Sequence, residues 1–294
     1  MLRIVTPTLA AALIVALAGC GSPASGAPSV AATVNGHPIS LKAYHKQVAY
    51  KLYETEQTNN NVDVCKERGY GAECKQMKQD ALGDLIAAEL VREWAAKHGI
   101  SVSKAEFQQQ WAIEYKGQYH SNHLILVAFA KQLGLTPADI KNLLRENILD
   151  NKVMYRLTKN LPSVTPAVHL VRIVVSNKKE LKGVRKGLKK RSFSLEAQLL
   201  NSEKTTTCSL VTCGDIGWVP EATLPADQRS LKTAPVNAIR GPFPGQTGEV
   251  LFQIAGRNKH YQLTQAQQLA WRQSIFAHWL LVQRKHAKVH RYVA

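Results

Sequence analysis

The chain has 294 residues, and its 38 Lys and Arg against 21 Asp and Glu give a formal net charge of +17 at pH 7. A chain of this length can bury one or two hydrophobic cores. No RRM, zinc-finger or helix-turn-helix signature accompanies the charge, which argues against a nucleic acid partner and leaves anionic lipid, acidic wall polymer or a generally basic surface as explanations.

The N-terminal segment predicts the compartment of the protein. Arg3 is followed by a short apolar run that ends in the lipobox-like sequence LAGC at 17–20. The run is too short for a membrane span and is typical of a cleaved secretory signal. We therefore expect residues 1–19 to be a lipoprotein signal peptide and Cys20 to be lipidated, with an ordinary signal peptide as the alternative. Residues 20–29 then form a flexible tether on an extracytoplasmic, lipid-anchored protein.

Four further cysteines fit an oxidising compartment. They lie at Cys65, Cys74, Cys208 and Cys213, and their spacing favours two local bridges, Cys65–Cys74 and Cys208–Cys213. Each bridge is expected to contribute roughly 2–3 kcal/mol by restricting the unfolded chain. Zinc binding is the weaker alternative, because neither pair has the two-residue spacing of a zinc knuckle. We expect no metal and no other cofactor.

Residues 30–160 predict a mostly helical region that opens with a pair of short strands. Apolar residues alternate on both sides of Asn35-Gly36, which is a tight-turn signal. Ser103 and Glu106 have the spacing of a helix capping box. Thr136 precedes a proline and an acid, the order expected at the start of another helix.

The hydrophobic period changes after Leu161-Pro162 and returns to a helical spacing from Thr264. Between these points the pattern predicts a strand, two helices and a closing strand at Val168–Val175, Lys179–Arg191, Phe193–Leu200 and Glu249–Ile254. The helix after Thr264 is expected to pack back on the N-terminal helices, because its apolar stripe would otherwise face water. Residues 287–293 predict a short final strand.

Three sequence motifs resemble those of a known family. VNGHPIS at 34–40 is similar to its strand–turn–helix opening, and CGDIGW at 213–218 resembles the parvulin GGDLGW loop. Gly241-Pro242, followed by Gly248 and an apolar strand, is similar to the parvulin C-terminal edge. The chain thus resembles extracytoplasmic parvulin-type foldase lipoproteins (the PrsA class) and the chaperone SurA over nearly its whole mature length.

The resemblance implies an α+β fold with two domains. Residues 30–160 and 264–294 would form a mostly helical SurA-like chaperone domain completed by the C-terminal helix. Residues 161–263 would form an inserted parvulin-like domain with FKBP-like β-α-α-β-α-β order.

The resemblance also implies where prolyl isomerase chemistry would lie. Parvulins hold the prolyl peptide with a histidine, a Cys or Asp, a Thr, a second histidine and an apolar pocket. In that order the four polar positions map to Arg172, Lys204, Gly245 and Val250. His169 is three residues before Arg172, and an odd shift along a strand places it on the opposite face. The peptide-binding candidates are Ile216, Trp218, Leu224 and Gln228. With the polar groups replaced, we expect reduced or absent catalysis.

The main functional hypothesis is a membrane-anchored chaperone or foldase that binds unfolded or partly folded secreted polypeptides through apolar surface. One alternative is an active parvulin-type peptidyl-prolyl cis–trans isomerase. A second alternative is a basic lipoprotein that binds anionic wall polymer or lipid through its charge. No nucleic acid partner is expected.

Overall fold

The computed structural model describes four stretches of the chain, residues 29–58, 62–204, 214–245 and 248–293. The predicted lipidation site Cys20 and the predicted Cys208–Cys213 bridge lie outside the described residues. Within these four stretches, no helix has both the length and the apolarity needed to cross a lipid bilayer.

The fold is α+β, as expected, with eight helices and seven strands in the described residues. In chain order these are β1 (Val30–Val34), β2 (His37–Ser40), α1 (Leu41–Thr58), α2 (Gly71–Lys97), α3 (Lys104–Gly117), α4 (His123–Gln132), α5 (Pro137–Leu157), β3 (Val164–Val175), α6 (Lys178–Gly187), α7 (Phe193–Lys204), β4 (Asp215–Pro220), β5 (Ile239–Pro244), β6 (Glu249–Gln262), α8 (Gln265–His286) and β7 (Val289–Arg291). Two short 3-10 helices, Glu221–Thr223 and Ala226–Lys232, lie between β4 and β5. The chain divides into two compact units, one of Met1–Ile86 with Lys288–Ala294 and one of Ala87–Ala287.

The first unit contains a three-stranded antiparallel sheet in the order β2-β1-β7. The predicted turn at Asn35-Gly36 joins β1 to β2, and its φ angles of 51° and 90° are the left-handed values that Asn and Gly favour. The Asn35 side chain also accepts a hydrogen bond of 2.9 Å from the Lys288 backbone N–H. The turn is thereby joined to the residue that precedes β7.

Helix α1 and the first part of α2 complete this unit. The Cys65–Cys74 disulfide expected from the sequence is present. Cys74 is buried with Val64 and Met77, so the bridge is part of a small hydrophobic core beneath the loop. The disulfide therefore fixes the segment that leads into α2 against that core.

The helices of the second unit confirm the predicted start signals and the placement of the last helix. Ser103 with Glu106 and Thr136 with Asp139 form reciprocal capping boxes at the starts of α3 and α5. Helix α8 packs against α2 and α5, as expected from its apolar stripe. The shared cluster contains Val91, Ala95, Val153, Phe276, Trp279 and Leu280.

The same unit contains a four-stranded antiparallel sheet in the order β4-β3-β6-β5. Helices α6 and α7 cover one face through a cluster that includes Val171, Ile173, Val184, Phe193 and Leu251. The other face packs against the segment of 3-10 helices through Val168, Leu170, Leu224, Leu231, Phe252 and Ile254. The middle strands thus have hydrophobic side chains on both faces.

Four predicted boundaries in this region were wrong, including the end of α7, which extends beyond the predicted Leu200 to Lys204. Strand β3 begins at Val164 and β6 continues to Gln262, because these two residues pair and extend the ladder through polar positions that the apolar pattern did not mark. The basic helix predicted to reach Arg191 ends at Gly187. Gly187 lies against the buried Glu196 carboxylate of α7, and the Lys190 and Arg191 N–H groups both donate to the Gly187 carbonyl in a closing turn.

Candidate functional site

Arg172 and Val250, the two positions that the resemblance maps to the parvulin histidines, are neighbours on adjacent strands. Arg172 of β3 pairs with Phe252 of β6, and Val174 pairs with Val250. Alternation along β3 places Arg172 on the same face as Leu170, the face that packs against the 3-10 segment. Val250 is partly buried against that cluster. Arg172 and Val250 therefore lie close together on adjacent strands of this sheet.

The side chain of Val250 packs closely against Gly245 and leaves no room for a larger residue there. The Gly245 N–H donates to the Gly248 carbonyl at 2.7 Å, which closes the turn between β5 and β6. A Cβ atom at Gly245 would lie 2.8 Å from Cγ2 of Val250, closer than real Cβ contacts allow. A threonine therefore does not fit at 245 while Val250 keeps its position. Lys204, the remaining mapped position, is the last residue of α7, and its side chain is outside the described part.

The structure separates two of the peptide-binding candidates. Leu224 is 8% exposed and belongs to the core cluster beneath the 3-10 segment, whereas Ile216 on β4 is 37% exposed. Gln228 is half-buried in the second 3-10 helix. Leu224 is thus a core residue of this segment.

Arg257 of β6 anchors the same segment. Its guanidinium donates to the Ala234 carbonyl at 2.6 Å, to the Leu231 carbonyl at 2.7 Å and to the Glu221 carboxylate at 2.8 Å. The planar fork of an arginine suits three acceptors at once. Arg257 therefore fixes the segment that carries Leu224 and Gln228 to β6, in addition to the hydrophobic packing beneath that segment.

Trp218, the fourth candidate, lies in an aromatic row with His169 and Tyr261. Its ring centroid is 5.3 Å from that of His169 and 5.5 Å from that of Tyr261. His169 Nε2 lies 2.8 Å from Asp215 Oδ1, which also accepts the Gly217 N–H at 2.8 Å. The pair spans β3 and β4, so it holds the aromatic row at one end of the sheet. The sequence pattern placed His169 on the face opposite Arg172 and predicted no partner for it. The His169–Asp215 pair could be found only from the register of β3 with β4.

A ladder of aromatic side chains on α3 and the residues just after it joins α3 to α4 and α5. We call these three helices the α3–α5 arm. Phe107, Trp111, Tyr115 and Tyr119 follow one another at helical spacing, and Tyr119 contacts Phe129 of α4 with ring centroids 5.7 Å apart. Arg145 and Lys141 of α5 lie over the rings of Phe107 and Trp111 at 4.6 and 5.1 Å. These cation–π contacts fix α5 on the ladder.

Helix α4 is apolar on the side that faces solvent as well as on the side that faces the protein. Leu126 and Ala130 are buried, one turn apart, and attach the helix to the arm. Leu124, 74% exposed, and the exposed Ile125 and Val127 lie on its outer side. An exposed group of large apolar side chains is typical of an interaction surface. The sequence marked this segment as apolar, but apolarity alone did not show that it is exposed.

A groove of about 400 Å³ lies between α3 and α5. Its apolar lining comprises Leu144, Ile148 and the exposed ring of Tyr155. Its polar lining comprises four amides and an ion pair, Gln109, Gln110, Asn147, Asn151 and Glu106–Lys152. Amide side chains both donate and accept hydrogen bonds, so such a groove suits the backbone of an extended peptide.

Charged groups mark both edges of α5. The Lys152 ammonium, 2.6 Å from Glu106, and the cap N–H of Ser103 lower the pKa of Glu106 to about 2. On the α2 side, burial raises the pKa of Asp150 to about 6, with a further increase from Glu146 and an opposing effect of Arg92. The protonation of Asp150 is therefore expected to change near pH 6.

The chain is similar to known proteins in its sequence and in its fold. A family model described as the SurA-like N-terminal domain matches residues 1–154. No curated protein matches the chain. Among solved structures, PrsA from Bacillus anthracis is 18% identical with a TM-score of 0.45, covering 69% of this chain and 92% of its own. PrsA from Streptococcus pneumoniae is 15% identical with a TM-score of 0.36, covering 85% of each chain.

A third solved structure, from a pair of SurA-like chaperones of Campylobacter jejuni (PEB4 and Cj1289), is 13% identical with a TM-score of 0.30. It covers 90% of this chain and 100% of its own. All three TM-scores are below 0.5. Residue roles are therefore not transferred from these structures to the chain.

Proposed function

The chain belongs to the family of SurA-like N-terminal domains, and on that premise we propose that it is an extracytoplasmic chaperone that binds unfolded secreted polypeptides. The observation that carries the proposal is the exposed apolar side of α4, formed by Leu124, Ile125 and Val127. It lies within the 1–154 segment that the family model matches. The hydrophobic effect favours contact between such a surface and the apolar segments that an unfolded chain exposes.

The groove between α3 and α5 supports the same proposal. An extended client segment would place apolar side chains against Leu144 and Ile148 and its backbone against the amides of the rim. Amide contacts recognise the backbone rather than a particular side chain, which suits a protein that binds many sequences. The groove and α4 belong to the same arm.

A lipid anchor at Cys20 is the second part of the proposal. It is supported by the lipobox at 17–20 and by the apolar run before it. The anchor would keep the chaperone beside the membrane at which secreted chains emerge. Replacement of Cys20 by Ala should release the protein from the membrane fraction, measured by labelling with a radioactive fatty acid and by fractionation.

The third part is that residues 161–263, the region that resembles a parvulin domain, have little or no isomerase activity. Prolyl isomerisation has a barrier of roughly 18–20 kcal/mol, and an enzyme must stabilise the twisted amide preferentially to lower it. This part is supported by the mapping that the resemblance suggests, in which Arg172 and Val250 take the positions of the two histidines and Gly245 takes that of the threonine. A protease-coupled assay on Xaa-Pro peptides should give the uncatalysed rate, and turnover that is lost in Arg172→Ala would contradict this part.

Suppression of aggregation of a denatured secreted protein tests the chaperone proposal. The double variant Leu124→Ser, Val127→Ser should suppress aggregation several-fold less than the parent at equal concentration. A matched control, Leu269→Ser with Leu281→Ser, removes two exposed leucines of α8 and should behave like the parent. Equal suppression by the parent and the α4 variant would exclude α4 as the client surface.

A further inference from the structure

Helix α6 and the turn after it form the densest basic stretch of the chain. Residues 178–191 contain eight Lys or Arg and a single acid, Glu180. All eight cations are exposed: Lys178, Lys179, Lys182, Arg185, Lys186, Lys189, Lys190 and Arg191. Glu180 serves the start of the helix, because its carboxylate accepts the Ser176 N–H at 2.6 Å. The helix therefore presents positive charge that its own acid does not offset.

The cations point away from the protein. Leu181, Val184 and Leu188 of this segment pack against the sheet face that contains Ile173 and Val175. Since these three apolar residues take the inner side of the helix, the cations occupy its outer side. Glu196 of α7 lies 2.7 Å from Arg191 and pairs with that cation.

Helix α7 adds apolar side chains to the same layer. Its Phe193 and Ala197 are buried against the same sheet face, so α6 and α7 lie side by side on it. Leu195 and Leu199, one turn apart, are exposed on the outer side of α7. The outer surface of this layer thus combines a field of cations with two unburied leucines.

We propose that this surface, the eight cations of 178–191 with Leu195 and Leu199, is a docking surface for an anionic phospholipid bilayer. We call it the α6–α7 cationic surface. Lysine and arginine attract acidic head groups, and exposed leucines insert at the boundary between head groups and acyl chains. A soluble polyanion would use the charges and leave the leucines in water. The pair of leucines therefore favours a membrane.

This inference rests on the proposed function only in placing the chain outside the cytoplasm beside a membrane. Docking through the α6–α7 cationic surface needs neither the lipid on Cys20 nor a bound client. It would hold the four-stranded sheet with α6 and α7 against the bilayer while the α3–α5 arm binds a chain elsewhere in the same molecule. The two activities can therefore be measured separately.

Vesicle co-sedimentation tests the inference with the expected mature chain, residues 20–294, carrying Cys20→Ser so that no lipid is attached. Vesicles made of equal parts phosphatidylglycerol and phosphatidylcholine should bind the protein, and pure phosphatidylcholine vesicles should not. Binding should weaken as salt is raised, because exposed charges are screened. Absence of binding to the acidic vesicles at low salt would refute the proposal.

Two quadruple variants that lose the same charge distinguish binding through this surface from binding through the net charge of the protein. The first variant replaces four cations of the surface by Gln: Lys182, Arg185, Lys186 and Lys189. The second replaces four exposed lysines elsewhere by Gln: Lys75, Lys97, Lys104 and Lys116. Each cation near an anionic bilayer changes affinity about fivefold, so the loss of four in the first variant should weaken binding by several hundred-fold, on the order of 600-fold. The second should stay within a few-fold of the parent, and an equal loss in both would refute a specific surface.

A third variant distinguishes a bilayer from a polymer. Leu195→Ser with Leu199→Ser should weaken binding to acidic vesicles and leave binding to long-chain polyphosphate, a soluble polyanion, unchanged. If polyphosphate binds and the vesicles do not, or if the leucine variant binds vesicles like the parent, the partner is a polymer and the proposal is wrong. All three variants should still suppress aggregation like the parent, so that a failure of docking is distinguished from a failure of the chaperone proposal.

Discussion

Replacement of Asp150 by Asn should stabilise the helical part of the second unit at neutral pH. Asp150 is half-buried on α5, and its folded-state pKa is raised from 3.8 to about 6 by burial and by Glu146, against the effect of Arg92. A raised carboxyl pKa means that the folded protein binds the proton more tightly than the unfolded chain. Ionisation therefore costs folding free energy, and this cost is absent in the amide.

The magnitude follows from the shift. A rise from 3.8 to about 6 corresponds to at most about 3 kcal/mol at pH values above 6. Solvent screening at a half-buried site reduces the expected gain for Asp150→Asn to about 1–2 kcal/mol. The gain should vanish near pH 4, where the wild-type carboxyl is protonated in the folded state, and should grow as the pH rises from about 4 to about 6.

Urea unfolding followed by tryptophan fluorescence measures this effect, since Trp94 and Trp279 lie in the cluster that α5 shares with α2 and α8. The two proteins should be compared at pH 4, 5, 6 and 7.5. Asp227→Asn, at an exposed position in the second 3-10 helix, is the control and should show no such trend. A gain of equal size at every pH, or no gain at pH 7.5, would show that ionisation of Asp150 does not oppose folding.

Three further substitutions or treatments test the packing of the fold. Gly187→Ala should destabilise the protein by roughly 1–3 kcal/mol, because the new Cβ would overlap the Glu196 carboxylate. Gly183→Ala on the same helix places its Cβ in open space and should stabilise the protein slightly. Thermal unfolding that ranks the two variants the other way would contradict this packing. Arg257→Lys should cost about 2–3 kcal/mol in urea unfolding despite the retained charge, since an ammonium cannot serve all three acceptors; wild-type stability would refute that role. Reduction of the Cys65–Cys74 disulfide should lower stability by roughly 2–3 kcal/mol, and an unchanged melting curve after confirmed reduction would contradict the bridge.

Local signals in the sequence predicted the helix starts well. The capping boxes of α3 and α5 depend on residues three positions apart, so Ser103 and Thr136 could be recognised without knowledge of the fold. The turn at Asn35-Gly36 is local in the same sense. The signal at each of these positions is contained within one turn of the chain.

Long-range features of the site could not be predicted in this way. His169 and Asp215 are 46 positions apart, and only the register of β3 with β4 brings them together. The steric fit of Gly245 to Val250 likewise depends on the geometry of the turn between β5 and β6. Apolar sequence marked α4, but whether an apolar residue such as Leu124 is buried depends on which neighbours cover it.

Strand β1 lies between β2, its immediate neighbour in sequence, and β7, which begins at Val289. A chain that is made and exported from its N-terminus releases β1 and β2 first and β7 last. Throughout that interval one side of β1 lacks its ladder partner and offers free backbone groups to any extended segment nearby. The chaperone proposed above would therefore itself be exposed to wrong strand pairing until its last strand is free.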